Sequence, residues 1–221
     1  MAQKKSSHRT AEDKAATAAK RDARRARTER ARAQAEERRK AAKRKEQLTR
    51  FGLVVGEADA PKSIVIYEDV LCPFCGYLEQ TVGDQLDAAV EAGEVKVEYR
   101  PLPFLERISD YSPEAANAFA VVLEESGPEV AKAFHDLLFD NQPPESGPFP
   151  DEDDFVEWAV EAGADEDAVR PGIEDMTFEG WVEAAGDAAS KAGINSTPTV
   201  LVDGEKVEGE TLQEIAAKMV G

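Results

Sequence analysis

Cys72 and Cys75 are the only cysteines in the 221-residue chain, and they stand in the stretch Cys-Pro-Phe-Cys. Two thiols at this spacing can supply half of a metal site, form a structural disulfide, or open and close a disulfide during turnover. A zinc site needs about two further ligands, usually in a second close pair. The chain offers His8 and His135, in distant and unlike contexts, so no metal is expected. A structural disulfide across so short a loop would constrain the unfolded chain weakly, because that stabilisation grows with loop length. Redox exchange is the favoured reading, and it needs no bound cofactor beyond the Cys72-Cys75 pair itself.

The flanking residues say how such a pair would be held. KSIVIYEDVL, ahead of the cysteines, is rich in β-branched residues and reads as a buried strand. Pro73 suits the first position of a helix, and Leu78, Val82, Leu86 and Val90 recur every four residues. The pair therefore stands at a helix N-terminus, where free N–H groups and the helix dipole favour a thiolate. Cys72 is expected to be the exposed attacking thiolate, and Cys75, one turn further in, the resolving thiol. Pro73 and Phe74 support the helix N-terminus but bring no positive charge, so most of any pKa shift is expected from the helix end. Glu68 and Asp69 are candidates for a proton relay to Cys75, against the plainer reading of a solvated strand end. His135 reads as helix packing or surface hydrogen bonding, and Trp158 and Trp181 as core.

Further along, GINSTPTVLVDGEKV places Thr197-Pro198 ahead of an apolar strand, an Asp203-Gly204 hairpin turn and a return strand. Cys-Pro-Phe-Cys after a strand, together with Thr-Pro before Val-Leu-Val-Asp-Gly, resembles the DsbA-like branch of the thioredoxin superfamily, of the actinobacterial, usually membrane-anchored type. The resemblance covers roughly residues 53–220. It implies an α/β, thioredoxin-like fold, a cis Pro198 facing the cysteine pair, and a Thr197 backbone that binds the substrate chain. Strongly oxidising members carry histidine where this chain has Phe74, so the resemblance does not fix the direction of electron flow.

Between the two motifs, EVKVEYRPLP alternates as a second strand, and helical patterns follow. Ser112 with Pro113 reads as an N-cap and first helical residue, and Gly127 as a stop. Val130, Phe134, Leu137 and Leu138 share one helical face, and Phe155, Trp158 and Ala159 another. Trp181, Ala185 and Ala188 recur in a later helix ended by Gly193. Residues 106–175 are read as a helical insertion of the kind the family carries over its redox site. Thr211 and Glu214 read as a capping box opening the last helix.

Charge splits the chain. Residues 1–50 hold 18 Lys and Arg against 7 Asp and Glu, a net +11, whereas residues 51–221 hold 9 against 38, a net −29. The first segment is read as a basic low-complexity tail, without packed structure, and residues 51–221 as the thioredoxin-like domain. The tail suits an anionic membrane surface; it lacks the interleaved aromatics that stack on bases, so specific nucleic-acid binding is not expected. Related proteins carry such a tail inside the cytoplasm and the redox domain outside. FGLVVGEADAP is far shorter than the roughly 20 apolar residues of a membrane span and lacks a signal peptide's features. The expectation is a cell-envelope protein whose anchor has been cut near Arg50, with a cytoplasmic protein as the alternative. The function expected is thiol-disulfide exchange with client proteins and an unidentified redox partner, more in the oxidising direction. The competing reading is a tethered thioredoxin-like binding module docked through its tail, without turnover.

Overall fold

Alternating and β-branched residues build the sheet that carries everything else. The structure, a computed structural model, describes residues 51–220 together with Arg30 and Arg32, both helical and exposed. The chain divides into two units, Met1–Lys43 and Arg44–Gly221. The tail expected over residues 1–50 lies outside the described residues apart from those two arginines. In the second unit five strands, β1 (Leu53–Val55), β2 (Lys62–Glu68), β3 (Val95–Pro101), β4 (Thr199–Val202) and β5 (Glu205–Lys206), form one sheet in the order β1-β3-β2-β4-β5.

Strands β2 and β3 run parallel, pairing Ile64 with Val97 and Ile66 with Tyr99. Their crossover is α1 (Pro73–Glu91), the usual way of joining parallel neighbours. β4 returns antiparallel to β2, with Val200 beside Ile66, and β1 closes the other edge against β3. Asp203 and Gly204 both take positive φ, 51° and 84°, in the two-residue turn between β4 and β5, as a twist-matched hairpin requires.

One face of the sheet buries Ile64, Ile66, Val97, Tyr99 and Val200 against Leu78, Val82 and Leu86 of α1 and Met219 of α7 (Leu212–Val220). The four-residue periodicity of α1 is thus borne out, Val90 being only partly buried. The opposite face packs Tyr67 and Leu102 on Ala185 and Ala189 of α6 (Glu179–Lys191). Four helices, α2 (Tyr111–Ser126), α3 (Pro128–Asp140), α4 (Glu152–Glu161) and α5 (Glu166–Glu174), fill the expected insertion. Their core of Phe119, Phe134, Leu138, Phe155 and Ile173 is continuous with Leu71, Cys72 and Cys75. Trp158 and Trp181 pack at its edge.

Helix ends differ from expectation in instructive ways. α2 begins at Tyr111, so Ser112 lies inside its first turn instead of capping it. On α3, Ala131 and Phe139 are buried where Leu137 is only partly so. On α6, Ala189 is buried and Ala188 half-buried. Thr211 Oγ1 accepts from the Glu214 N–H at 3.2 Å, but Glu214 returns its bond to the Glu210 N–H, one residue earlier than a capping box places it.

Candidate active site

A strand that ends, turns once and enters a helix leaves its turn residues at the lip of the sheet. Here the turn runs from Glu68 to Cys72, and the Cys72 N–H donates to the Asp69 carbonyl at 2.9 Å. Cys72 is the residue before the first helical position, with extended backbone, and Pro73 takes the first turn as expected. Both cysteines are free thiols. Cys72 keeps 5% of its surface and Cys75 1%, so the exposed thiol expected at Cys72 is instead mostly covered. Phe74, by contrast, is 63% exposed and stands as an apolar side chain beside the pair.

The two thiols are electrostatically unlike. Cys72 is lowered from an ordinary value of 9.0 to about 6. The largest cause is the hydrogen bond from the Cys75 thiol, which outweighs burial; Thr197 and the backbone N–H groups of Cys75 and Phe74 add to it. The helix end expected to dominate therefore contributes after the partner thiol. Burial pushes Cys75 up, and the hydrogen bond and charge of Cys72 push it further.

Pro198 follows a cis peptide bond with Thr197. The Cys72 Sγ lies 3.5 Å from the Thr197 carbonyl oxygen, so two motifs 125 residues apart in sequence meet here. Next to this segment, a cleft of about 830 Å³ is lined by Leu102, Phe104, Glu183, Ile194 and Asn195 among others.

Glu68 and Asp69 are 1% and 0% exposed, which excludes a solvated strand end. The contact that reaches the Cys75 Sγ comes from the Asp69 backbone N–H, at 3.5 Å. The Asp69 carboxylate is engaged elsewhere: Oδ1 accepts from the Leu71 N–H at 2.8 Å, and Oδ2 from the Leu105 N–H at 2.7 Å and the Ser112 hydroxyl at 2.6 Å. Burial raises its pKa and these bonds oppose the rise. The Glu68 Oε1 meets the His135 Nε2 at 2.8 Å. His135 is thus neither a surface residue nor simple packing: it is 1% exposed, ringed by Tyr99, Phe119 and Phe139, and its Nδ1 lies 3.1 Å from the Asp136 Oδ1. Burial lowers its pKa, but the Glu68 charge and the bonds to Asp136 and Glu68 outweigh that and hold it up at about 10.

Gln142, just beyond α3, also belongs to the site. Its Nε2 donates to the carbonyls of Val70 and Cys72, the latter at 3.0 Å, and so clasps the turn that presents Cys72. A Cβ at Gly76 would come within 2.3 Å of the Gln142 side-chain oxygen, so a larger residue there would push the Gln142 amide off this clasp.

Residues 48–220 match the family model described as thioredoxin. The chain belongs to that family. Among solved structures, the reduced form of the disulfide bond oxidoreductase DsbG from Mycobacterium tuberculosis is 31% identical, with a TM-score of 0.65 over 76% of this chain and 85% of that one. MdbA, a thiol-disulfide oxidoreductase from Corynebacterium diphtheriae, is 28% identical, with a TM-score of 0.65 over 78% of this chain and 91% of that one. These likenesses place the chain in the DsbA-like branch of the thioredoxin family. A curated relative, the Na(+)/H(+) antiporter NhaA 3 of Salinispora tropica, is 30% identical over 156 residues, 71% of this chain but only 22% of the antiporter's length. Among the described residues no helix is long and apolar enough to cross a membrane.

Proposed function

We propose that this thioredoxin-family protein is a thiol-disulfide oxidoreductase that exchanges disulfides with client proteins through Cys72 and Cys75, working as an oxidase of exported proteins. The observation that carries this reading is the asymmetry of the pair. A thiol lowered to about 6 sits within 3.5 Å of the Thr197 carbonyl, with a raised, buried thiol one turn behind it. In the oxidising direction, a client thiolate attacks the Cys72 sulfur of the Cys72-Cys75 disulfide. The S–S bond breaks, and its electron pair leaves on Cys75, which takes up a proton. A second client thiolate then attacks the client sulfur of the mixed disulfide and releases Cys72 as a thiolate. The client loses two electrons, the protein gains them, and a separate redox partner must remove them again. A low thiol pKa makes Cys72 the better leaving group in the last step and stabilises the reduced protein, both of which favour oxidation of clients.

Extended client backbone would pair with Thr197 beside Pro198, and the exposed Phe74 offers apolar surface to its side chains. Glu68 and Asp69 are the candidates for relaying the proton that Cys75 exchanges, and the three hydrogen bonds of the Asp69 carboxylate favour bracing over proton transfer there. Residues 1–50 serve in this reading as a basic tail against anionic lipid, and residues 51–221 as the redox domain outside the cytoplasm.

The test uses a reduced, unfolded ribonuclease as client. The wild type should restore its activity in the presence of a thiol oxidant, Cys72→Ser should be inactive, and Cys75→Ser should accumulate a mixed disulfide through Cys72. Equal activity in the wild type and Cys72→Ser would refute the assignment and leave the tethered binding module as the better reading.

A further inference from the structure

One helical turn beyond Cys75, on the same face of α1, Glu79 reaches into the interior, where it meets Glu68 of β2 and His135 of α3. One ligand-type atom from each of the three lies within 4.8 Å of the other two. We propose that Glu68, Glu79 and His135, with the Tyr99 hydroxyl beside them, form a binding site for a divalent first-row transition-metal ion of the zinc type.

The arrangement of the imidazole points that way. Its Nδ1 lies 3.1 Å from the Asp136 Oδ1, and a histidine that donates Nδ1–H to a carboxylate presents the other nitrogen as an acceptor. That nitrogen, Nε2, is 2.8 Å from the Glu68 Oε1, another acceptor. With its raised pKa, His135 bridges this gap with an Nε2–H donated to Glu68, and a metal ion would bind by displacing that proton.

The surrounding oxygens separate these two occupants. The Glu68 Oε2, the Glu79 Oε1 and the Tyr99 hydroxyl are all buried without a hydrogen-bond partner. A proton on Nε2 answers the Glu68 Oε1 alone, whereas buried polar atoms are almost always paired. A metal ion answers carboxylates from two elements at once. Tyr99 is 0% exposed, its ring lies 4.4 Å from the His135 ring, and the charges of Glu79 and Glu68 act on its hydroxyl. Lys132 is a nearby positive charge, but its Nζ is held by Asp136 at 2.8 Å and Asp87 at 3.1 Å.

An entry route is present. Glu79 lines a cleft of about 340 Å³ with Gly83, Asp84, Asp87, Lys132, Asp136 and Asp140, four of them acidic. Acidic walls concentrate cations, and one imidazole with two carboxylates suits zinc or manganese better than calcium or magnesium. Such an ion would tie β2, α1 and α3 together at a single point.

The experiment is a zinc titration of the full chain carrying Cys72→Ser and Cys75→Ser, which removes the competing thiolates, after chelation and dialysis. Isothermal calorimetry should give one tight equivalent, and a higher thermal midpoint than in chelator. Cobalt in place of zinc should develop a visible d–d band. Glu79→Gln and His135→Gln should each weaken binding by tenfold or more, and Asp136→Asn by about tenfold, while Asp167→Asn, on the exposed first turn of α5, leaves it unchanged. Should His135→Gln fail to fold, Glu79→Gln decides alone. Absence of a saturable equivalent, or unchanged affinity in Glu79→Gln, overturns the proposal, as does a protonated His135 Nε2 resonance that persists in NMR spectra in excess zinc. None of these outcomes depends on disulfide exchange, which the serine variants lack by design.

Discussion

At the scale of single residues, the chemistry of this site depends on one thiol giving up its proton where its neighbour does not. The Cys75 thiol donates toward Cys72 and stabilises the thiolate there, while burial keeps Cys75 itself protonated. The consequence extends to stability. In the reduced protein the Cys72 pKa, about 6, lies below the 9.0 of an unconstrained thiol. The folded chain therefore binds fewer protons than the unfolded chain between those values. Its thiolate contribution is fully present above about pH 9 and is lost as pH falls through about 6. Cys75 is shifted the other way, so its effect begins only above pH 9. The oxidised protein has neither thiol and lacks this dependence. Urea unfolding at pH 6, 7.5 and 9 should show the reduced form gaining stability relative to the oxidised form as pH rises. Iodoacetamide should modify Cys72 with a midpoint near pH 6 while Cys75 stays protected. Parallel stability profiles for the two redox states would contradict the shift.

At the scale of elements, the loop between β2 and α1 is held by partners the sequence places far away. Asp69 joins its own turn at Leu71 to Leu105 and to Ser112, which is 43 residues distant. Asp69→Ala would leave two backbone N–H groups and a hydroxyl without their acceptor. At about 1 to 3 kcal/mol for each buried group left unpaired, the loss should reach about 3 kcal/mol or more. Asp69→Asn should fall between that and wild type, measured by urea unfolding of the oxidised form. A loss below about 1 kcal/mol for Asp69→Ala would show that water replaces the carboxylate. The same contacts mark where sequence reading stops. β2, α1 and the Asp203-Gly204 turn were legible because their signals are local: a run of β-branched residues, a four-residue period, a turn dipeptide. Ser112 ahead of Pro113 has the local pattern of a cap, yet its hydroxyl is taken by Asp69. His135 has the local pattern of a packed helix, yet it meets Glu68 across 67 residues. Gln142 offered no local signal. The one available clue was the pair Glu68-Asp69 closing a strand otherwise destined for the core, since acids drawn inside need buried donors or a cation.

At the scale of the whole molecule, charge separates what short-range contacts do not. Residues 51–221 carry 38 acidic and 9 basic side chains, so most pairs of charges in that part of the chain are of like sign and repel, and a compact body brings them closer than an unfolded chain does. The opposing ion pairs include Arg170, which meets Asp153, Glu166 and Glu174, and Lys132, which meets Asp87 and Asp136. Salt screens both kinds of interaction, with a Debye length that falls from about 10 Å at 0.1 M to about 3 Å at 1 M. Repulsions outnumber these attractions and act over longer distances, so screening should give net stabilisation. The thermal midpoint of the oxidised full chain should therefore rise by several degrees between 0.05 M and 1 M sodium chloride. Residues 1–50, with their net +11, should respond in the opposite sense. Binding of the full chain to vesicles containing phosphatidylserine should weaken steeply over the same range and vanish when residues 1–50 are deleted. A midpoint that falls with salt would mean that the ion pairs outweigh the acidic self-repulsion, and salt-insensitive vesicle binding would remove the electrostatic role of the tail.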